Sequence, residues 1–278
     1  MKAVIHVVYD CVPGAYAGGV QKMVFELASA QRRAGANAEI WALNDLRAGA
    51  VEDHGGLPVR YFMPDAFFGL AKSDRLEARL RALGPGHVLH GHNSFHPLDL
   101  QVGAAAQARR FPVYYHPHGA FDPTLFQGWS WAALKKRLYI RVVSRRNLDR
   151  AAGLFALTEA EESQLRALGF AAPIAVLPNG VAAVDWPAAG PVGRDELRRA
   201  FRVAHAIPAA AKVILFVGRI DRKKRLEDVL AAFGDLAARD ERLHLVLAGA
   251  ADDAYARRLR QGAERSPYAD RIRWTGFL

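Results

Sequence analysis

Two groups of residues in this sequence have the types and spacing to do chemistry. The first is the run Val217-Gly218-Arg219-Ile220-Asp221-Arg222-Lys223-Lys224-Arg225. It follows an apolar strand pattern and precedes a helical one, so its cations gather at a helix start. Helix N-termini favour anionic side chains, and cations collected there point to a bound anion. A diphosphate matches that set, with Arg bidentate and Lys as a point charge. A solvated basic turn is the plain alternative. The second group is histidine. His87, His90, His92, His96, His116 and His118 are six of the ten in the chain. Residues two apart on extended backbone face one side, which pairs His90 with His92 and His116 with His118. Imidazole is a good zinc ligand. However, no cysteine is nearby, no His-Glu-x-x-His helix exists and carboxylates are sparse. Hydrogen-bonded or cleft-lining histidines at strand ends are the preferred reading, and no metal site is assigned.

Three further segments carry weaker signals. The loop Asp10–Gln21 joins a strand pattern to a helix pattern. Gly14 and Gly19 in it have P-loop separation, but Val20-Gln21 replaces the Lys-Ser/Thr pair. Backbone N–H groups at such a junction suit an anion, and a tight glycine turn is the alternative. Leu177-Pro178-Asn179-Gly180-Val181 reads as a sharp turn by its local chemistry alone. The segment Trp131–Arg150 holds seven Lys and Arg against the single Asp149. Trp131, Leu134, Leu138 and Val142 form one helical stripe, and Arg137, Arg141 and Arg145 another. With Trp129 it suits an acidic lipid surface. A surface helix with a core-facing stripe explains it equally well.

The elements that must position these residues alternate. Strand patterns fall at Val4–Val8, Ala38–Leu43, Val59–Phe62, His87–His90, Pro112–His116, Gly153–Leu157 and Ile174–Leu177. Helical patterns lie between most of them. Val20–Arg33 ends at a capping Gly35, Ser73–Leu83 starts on a serine cap, and Thr158-Glu-Ala-Glu161 is a capping box. Such alternation predicts a mostly parallel sheet with its ligand crevice at the carboxyl ends of the strands. Ala182–Pro191 is rich in Ala, Pro and Gly and suits a linker. A second series follows: Val213–Val217, Glu227–Arg239, Leu243–Leu247, Asp253–Arg265 and Arg271–Trp274. The expected domains are residues 1–185 and 186–278, the second with few strands for a doubly wound sheet.

Composition narrows the partners. The 278 residues carry a net charge of +10, from 38 basic and 28 acidic groups, which favours anionic ligands. No recognisable nucleic-acid module is present, so nucleic acid is set aside. The single cysteine, Cys11, excludes an intramolecular disulfide and reads as a small buried residue. No apolar run approaches the ~20 residues that span a bilayer, and the N-terminus lacks the h-region of a signal peptide. A cytoplasmic protein is the expectation, with a peripheral seat on the inner face of the plasma membrane as the further reading.

Taken in order, these motifs resemble the family 4 glycosyltransferases of the GT-B fold. The carriers are Gly18-Gly19-Val20 after the first strand, His118-Gly119 after a central strand, Pro178-Asn179-Gly180-Val181, and Phe216-Val217-Gly218-Arg219 with Lys224. The stretch Pro117–Pro123, the basic helix and Leu157–Glu161 resemble members that build bacterial surface polysaccharides. The resemblance implies two Rossmann-like domains, the second truncated, and retaining transfer from a nucleotide sugar to a saccharide or lipid-linked acceptor. It assigns His118 to the transferring sugar, and Arg219 and Lys224 to the leaving diphosphate. Gly18, Gly19, His92, Asn179, Gly218 and Gly249 count as donor- or acceptor-binding. No cofactor is implied, and with no Asp-x-Asp motif the site is expected to be metal-independent. Arg225 departs from the glycine that usually follows the lysine, Ala182 stands where Asp often follows Asn-Gly-Val, and the Glu-x7-Glu segment is absent. A non-catalytic GT-B-like binding protein and a nucleotide-sugar epimerase on the same fold are the alternatives.

Overall fold

The structure, a computed structural model, describes residues 3–14, 18–65, 72–92, 94–123, 131–180, 191–250 and 254–277. The chain divides into two compact units, Met1–Trp186 and Pro187–Leu278.

The first unit runs β1 (Val4–Val8), α1 (Gly19–Arg33), β2 (Ala38–Leu43), β3 (Val51–His54), β4 (Leu57–Phe62), α2 (Asp74–Arg81), β5 (Val88–Gly91) and α3 (Pro97–Arg109). It continues with β6 (Val113–Tyr115), α4 (Trp131–Tyr139), α5 (Arg145–Leu148), β7 (Gly153–Ala156), α6 (Glu159–Ala167) and β8 (Ile174–Val176). The sheet order is β3-β4-β2-β1-β5-β6-β7-β8. Every residue of β1 is buried, as a strand covered on both faces must be. Ile5 and Val7 pack into one core with Leu89, Leu98 and Leu154, while Val8 joins Val24, Ala28 and Ile40 in the other, beside α1. The chain steps outward from β1 in both directions, so the topological switch point lies between β1 and β5.

The caps expected from sequence form, except that the Thr158–Glu161 box closes on one side only: the Glu161 carboxylate accepts the Leu157 and Gly119 N–H groups, not that of Thr158. Ser73 Oγ accepts the Leu76 N–H, Thr158 Oγ1 accepts the Glu161 N–H, and Gly35 takes φ +85° just beyond α1. Two features escaped the sequence reading. Strand β3 pairs antiparallel with β4 through Gly55-Gly56, both at positive φ, as a two-residue hairpin turn requires. The basic helix is interrupted: Ile140–Ser144 is π-helical between α4 and α5. Asn147 then reaches α3, where Gly103 leaves room for it. A Cβ at Gly103 would lie 1.8 Å from Asn147 Oδ1. Asn147 Nδ2 donates to Asp99 O at 3.1 Å and to Tyr115 Oη at 3.0 Å.

The second unit comprises α7 (Pro191–Ala204), β9 (Lys212–Val217), a 3-10 turn (Arg222–Lys224), α8 (Leu226–Ala237), β10 (Leu243–Ala248), α9 (Ala254–Glu264) and β11 (Ile272–Gly276). Its described strands form a parallel sheet, β11-β10-β9. Leu245 and Leu247 pack with Phe233 and Leu259 on one face, and Val246 packs with Ile207 and Phe201 on the other. Both units are therefore parallel α/β layers. Helix α7 adds to the sequence reading, which ended its linker Ala182–Pro191 where the helix starts and began the second series only at Val213. Proline at the first helical position suits its fixed φ and missing N–H.

Candidate functional site

The carboxyl ends of β1, β5 and β6 gather five imidazoles. Register places His6 opposite His90, and His90 opposite Tyr114, and His92 and His116 lie two residues further along the same face. His6, His90, His92 and His116 are buried and His118 is half-buried. Gln31 of α1 sits 2.7 Å from His6 Nε2. His6 Nδ1 lies 2.9 Å from His92 Nε2, and His92 Nδ1 lies 3.2 Å from His118 Nε2. His116 stacks on His118 with centroids 4.3 Å apart. Burial holds these rings neutral: it lowers His6 and His116 to about 4 and His118 to about 3, and it takes His90 and His92 well below the usual value.

Among the described residues, His90 Nε2 and both nitrogens of His116 are buried without a hydrogen-bond partner, so these two rings do not meet the hydrogen-bonded half of the expectation in full. Two overlapping trios, His6-His90-His92 and His92-His116-His118, hold ring nitrogens within 4.8 Å of one another, the spacing of a metal-ligand set. His87 and His96 stand apart from the cluster: His87 bonds Gly84 O, and His96 precedes α3 and stacks on Tyr9. His6 and Gln31 are the members that the sequence reading missed. A histidine inside the otherwise apolar run Val4–Val8 was the available signal.

His118 owes its place to its backbone. It lies at φ +54° and Gly119 at φ +73°, a left-handed pair that turns the chain sharply after β6. Glu161 secures that turn from α6. One carboxylate oxygen accepts the Gly119 N–H at 2.6 Å, and the other accepts the Leu157 N–H at 2.7 Å. Glu161 was legible as a capping residue, but its reach to Gly119 was not.

Gly18 caps α1 in extended conformation, and no side-chain oxygen caps the helix. A Cβ at Gly19 would meet nothing within 4 Å. Cys11 is buried, with its Sγ 3.7 Å from Gln21 O, and burial raises its thiol to about 12. It is therefore a protonated core thiol. Asn179 is exposed after β8, and no contact joins it to the histidines. Val181 lies outside the described residues.

In the second unit, Gly218 and Gly249 end β9 and β10 and approach backbone to backbone. A Cβ on Gly249 would fall 1.8 Å from Gly218 O. Gly218 N donates to Ala248 O at 2.9 Å, and Gly249 N donates to Gly276 O at 2.8 Å, which ties the three strand ends together. Beyond them stand Arg219, Lys223 and Lys224, all exposed. Asp221 organises the turn: its Oδ1 accepts the Lys223 N–H at 2.9 Å, and its Oδ2 lies 3.6 Å from Arg219 Nη2. Arg225, at φ +49°, starts α8 in the left-handed region, where a glycine would rest without strain.

The stripe of the basic helix faces outward. Trp131, Leu134, Leu138 and Val142 are 51–69% exposed, which removes the core-facing explanation. Beside it, Arg137, Arg141 and Arg145 border a cleft of about 520 Å³ floored by Phe121, Leu168 and Phe170. Trp129 lies outside the described residues.

A doubly wound sheet in the first unit and a parallel sheet of three described strands in the second match the GT-B architecture. Residues 18–180 match the family described as a glycosyl transferase 4-like domain, and residues 198–278 match glycosyl transferases group 1. The chain belongs to the glycosyltransferase 4-like family. It is 30% identical to a D-inositol 3-phosphate glycosyltransferase of Kineococcus radiotolerans, over 84% of this chain and 56% of that protein. The chain thus spans little more than half of that relative's length. Among solved structures, Anabaena HepE in complex with UDP and glucose superposes with a TM-score of 0.70 at 19% identity, over 100% of this chain and 70% of the other. WaaG, a glycosyltransferase involved in lipopolysaccharide biosynthesis, gives 0.60 at 15% identity, over 99% and 70%. Likeness at these identities concerns the fold.

Proposed function

We propose that this chain carries the sugar-contacting and diphosphate-binding parts of a retaining glycosyltransferase. Its donor is a nucleoside-diphosphate sugar, and its acceptor is a saccharide or a lipid-linked saccharide of bacterial surface polysaccharide synthesis. The observation that carries this reading is the turn after β9. Gly218 and Gly249 clear the strand ends of side chains, Arg219 directly follows that cleared backbone, and Lys224 ends the 3-10 turn after it. A leaving diphosphate gains negative charge as the glycosyl bond breaks. Preorganised cations stabilise that charge, so Arg219 and Lys224 take the part that a metal ion plays elsewhere. His118 contacts the transferring sugar. Gly18, Gly19, His92 and Asn179 complete the proposed donor and acceptor contacts. The liganded state of Anabaena HepE, with UDP and glucose, supports a nucleotide-sugar donor.

The outward stripe and the three arginines beside it support a cytoplasmic protein that rests on an anionic membrane surface, where a lipid-linked acceptor would be met. Calorimetric titration with UDP and GDP tests the donor reading. Charge-assisted hydrogen bonds contribute roughly 1.5–3 kcal/mol each, so Arg219→Ala and Lys224→Ala should each weaken diphosphate binding by about 10- to 100-fold. Unchanged affinity in both variants would overturn the assignment.

A further inference from the structure

Three of the clustered histidines form one continuous chain with Gln31. The links are Gln31 Oε1 to His6 Nε2 at 2.7 Å, His6 Nδ1 to His92 Nε2 at 2.9 Å, and His92 Nδ1 to His118 Nε2 at 3.2 Å. Each link needs one proton. A neutral imidazole carries a single N–H, so its second nitrogen can only accept. Fixing the proton in one link therefore fixes it in all of them. Gln31 Oε1 is an acceptor, so His6 must donate from Nε2 and accept at Nδ1. His92 then donates from Nε2 and accepts at Nδ1, and His118 donates from Nε2. The remaining atom, His118 Nδ1, is left as a bare acceptor, since Nε2 is the nitrogen that meets His92.

We propose that Gln31, acting through His6 and His92, is a positioning residue that holds His118 as its Nε2–H tautomer, so that His118 presents Nδ1 to a ligand hydroxyl. This rests on the reading of His118 as the sugar-contacting residue and gives that contact a direction. A bare imidazole nitrogen accepts from a hydroxyl, offers nothing to a carbonyl oxygen and repels an anion. The cluster would then select a hydroxyl on the sugar. The low basicity of the rings supports the arrangement, because a protonated ring would carry two N–H groups and break the order.

A divalent ion is the competing occupant, since His90 and His116 have orphaned nitrogens. Its charge would be buried among imidazoles alone. The groups acting on His90 and His92 are other histidines, with no carboxylate among them. Neutral imidazoles alone can ligate zinc, so a zinc titration separates the two occupants.

Long-range proton–nitrogen NMR of the histidine-labelled chain at pH 8 reads the tautomers directly, with His118→Gln for assignment. The wild type should show His118 protonated on Nε2 alone. Gln31→Glu, whose carboxylate can only accept, should keep that state. Gln31→Ala should convert His118 to a mixture of tautomers. His118 protonated on Nδ1 in the wild type would mean that the chain runs the other way, and would overturn the proposal. An unchanged single tautomer in Gln31→Ala would overturn it too. So would a one-to-one shift of the His90 and His116 signals on adding zinc, by making the cluster a metal centre. The spectra need no nucleotide and no turnover, so a failure of donor binding would sink the functional reading and leave this one standing.

Discussion

Glu161 accepts the backbone N–H of Gly119 at 2.6 Å, across 42 residues of sequence, and so fastens the turn that carries His118 to the start of α6. With its second oxygen on Leu157 N–H, the carboxylate joins the ends of two neighbouring strands, β6 and β7. Glutamine at this position would bring an NH2 group against one of two N–H donors. The buried donor left without an acceptor costs about 1–3 kcal/mol. Glu161→Gln should lower stability by that amount in urea unfolding, and should broaden the His118 signals before the chain unfolds. Unfolding curves that superpose on wild type would show that the carboxylate does not hold the turn.

The buried imidazoles make stability depend on pH. His6 and His116 are lowered to about 4 and His118 to about 3, against ~6.5 in the unfolded chain. Between those values the unfolded state binds more protons, so stability rises with pH through this window and is lost as pH falls below ~6.5. Asp99 opposes this. Burial raises it to about 7, so its contribution falls as pH rises from ~3.9 to 7. Several histidines act against one carboxyl group, and the acid loss dominates. Thermal melts from pH 8 to pH 4 should show a steep fall below pH 6.5. Replacing His116 by Phe should flatten it, and a pH-independent midpoint would contradict the neutral cluster.

Arg225 sits at φ +49° at the start of α8, in a region that costs a non-glycine residue about 1–2 kcal/mol. Its guanidinium pairs with Asp228 at 2.7 Å on the surface, where such pairs contribute little. Arg225→Gly removes the strain but gives the unfolded chain more freedom. A net gain of about 0.5–1 kcal/mol should appear in the unfolding of the second unit. Nucleotide affinity should change far less than in Lys224→Ala. A loss of stability would mean that the arginine side chain makes a contact worth more than the strain.

The parallel layers were legible because buried strands read as apolar runs and the helices announce their caps. Ser73, Thr158 and Gly35 stand where their side chains or φ values demand. Strand β3 was hidden because Val51-Glu52-Asp53-His54 pairs only with β4 at the sheet edge and lacks an apolar run. Only Gly55-Gly56 hinted at the hairpin. Histidine spacing told which rings share a face, yet Gln31 and His6 come from other elements. Their distances follow from register between strands, which one sequence does not state. The stripe Trp131–Val142 had the period of a helix face, but period alone does not say whether that face meets core or solvent.

That outward face makes the last prediction. Trp131, Leu134, Leu138 and Val142 offer apolar side chains beside Lys135, Lys136, Arg141 and Arg146. Near an anionic bilayer each cation contributes about 1 kcal/mol, and the attraction decays within a Debye length, ~10 Å at 0.1 M salt. The chain should sediment with phosphatidylglycerol vesicles at low salt and release progressively as salt is raised. The two halves of the surface should separate by mutation. Lys135→Gln with Lys136→Gln should weaken binding mainly at low salt, where the electrostatic part is largest. Trp131→Ser with Leu138→Ser should weaken it at every salt concentration, because burial of apolar area is not screened. Equal binding to neutral phosphatidylcholine vesicles would remove the electrostatic part, and none to either would remove the membrane from the account and leave the stripe as a surface for some other partner.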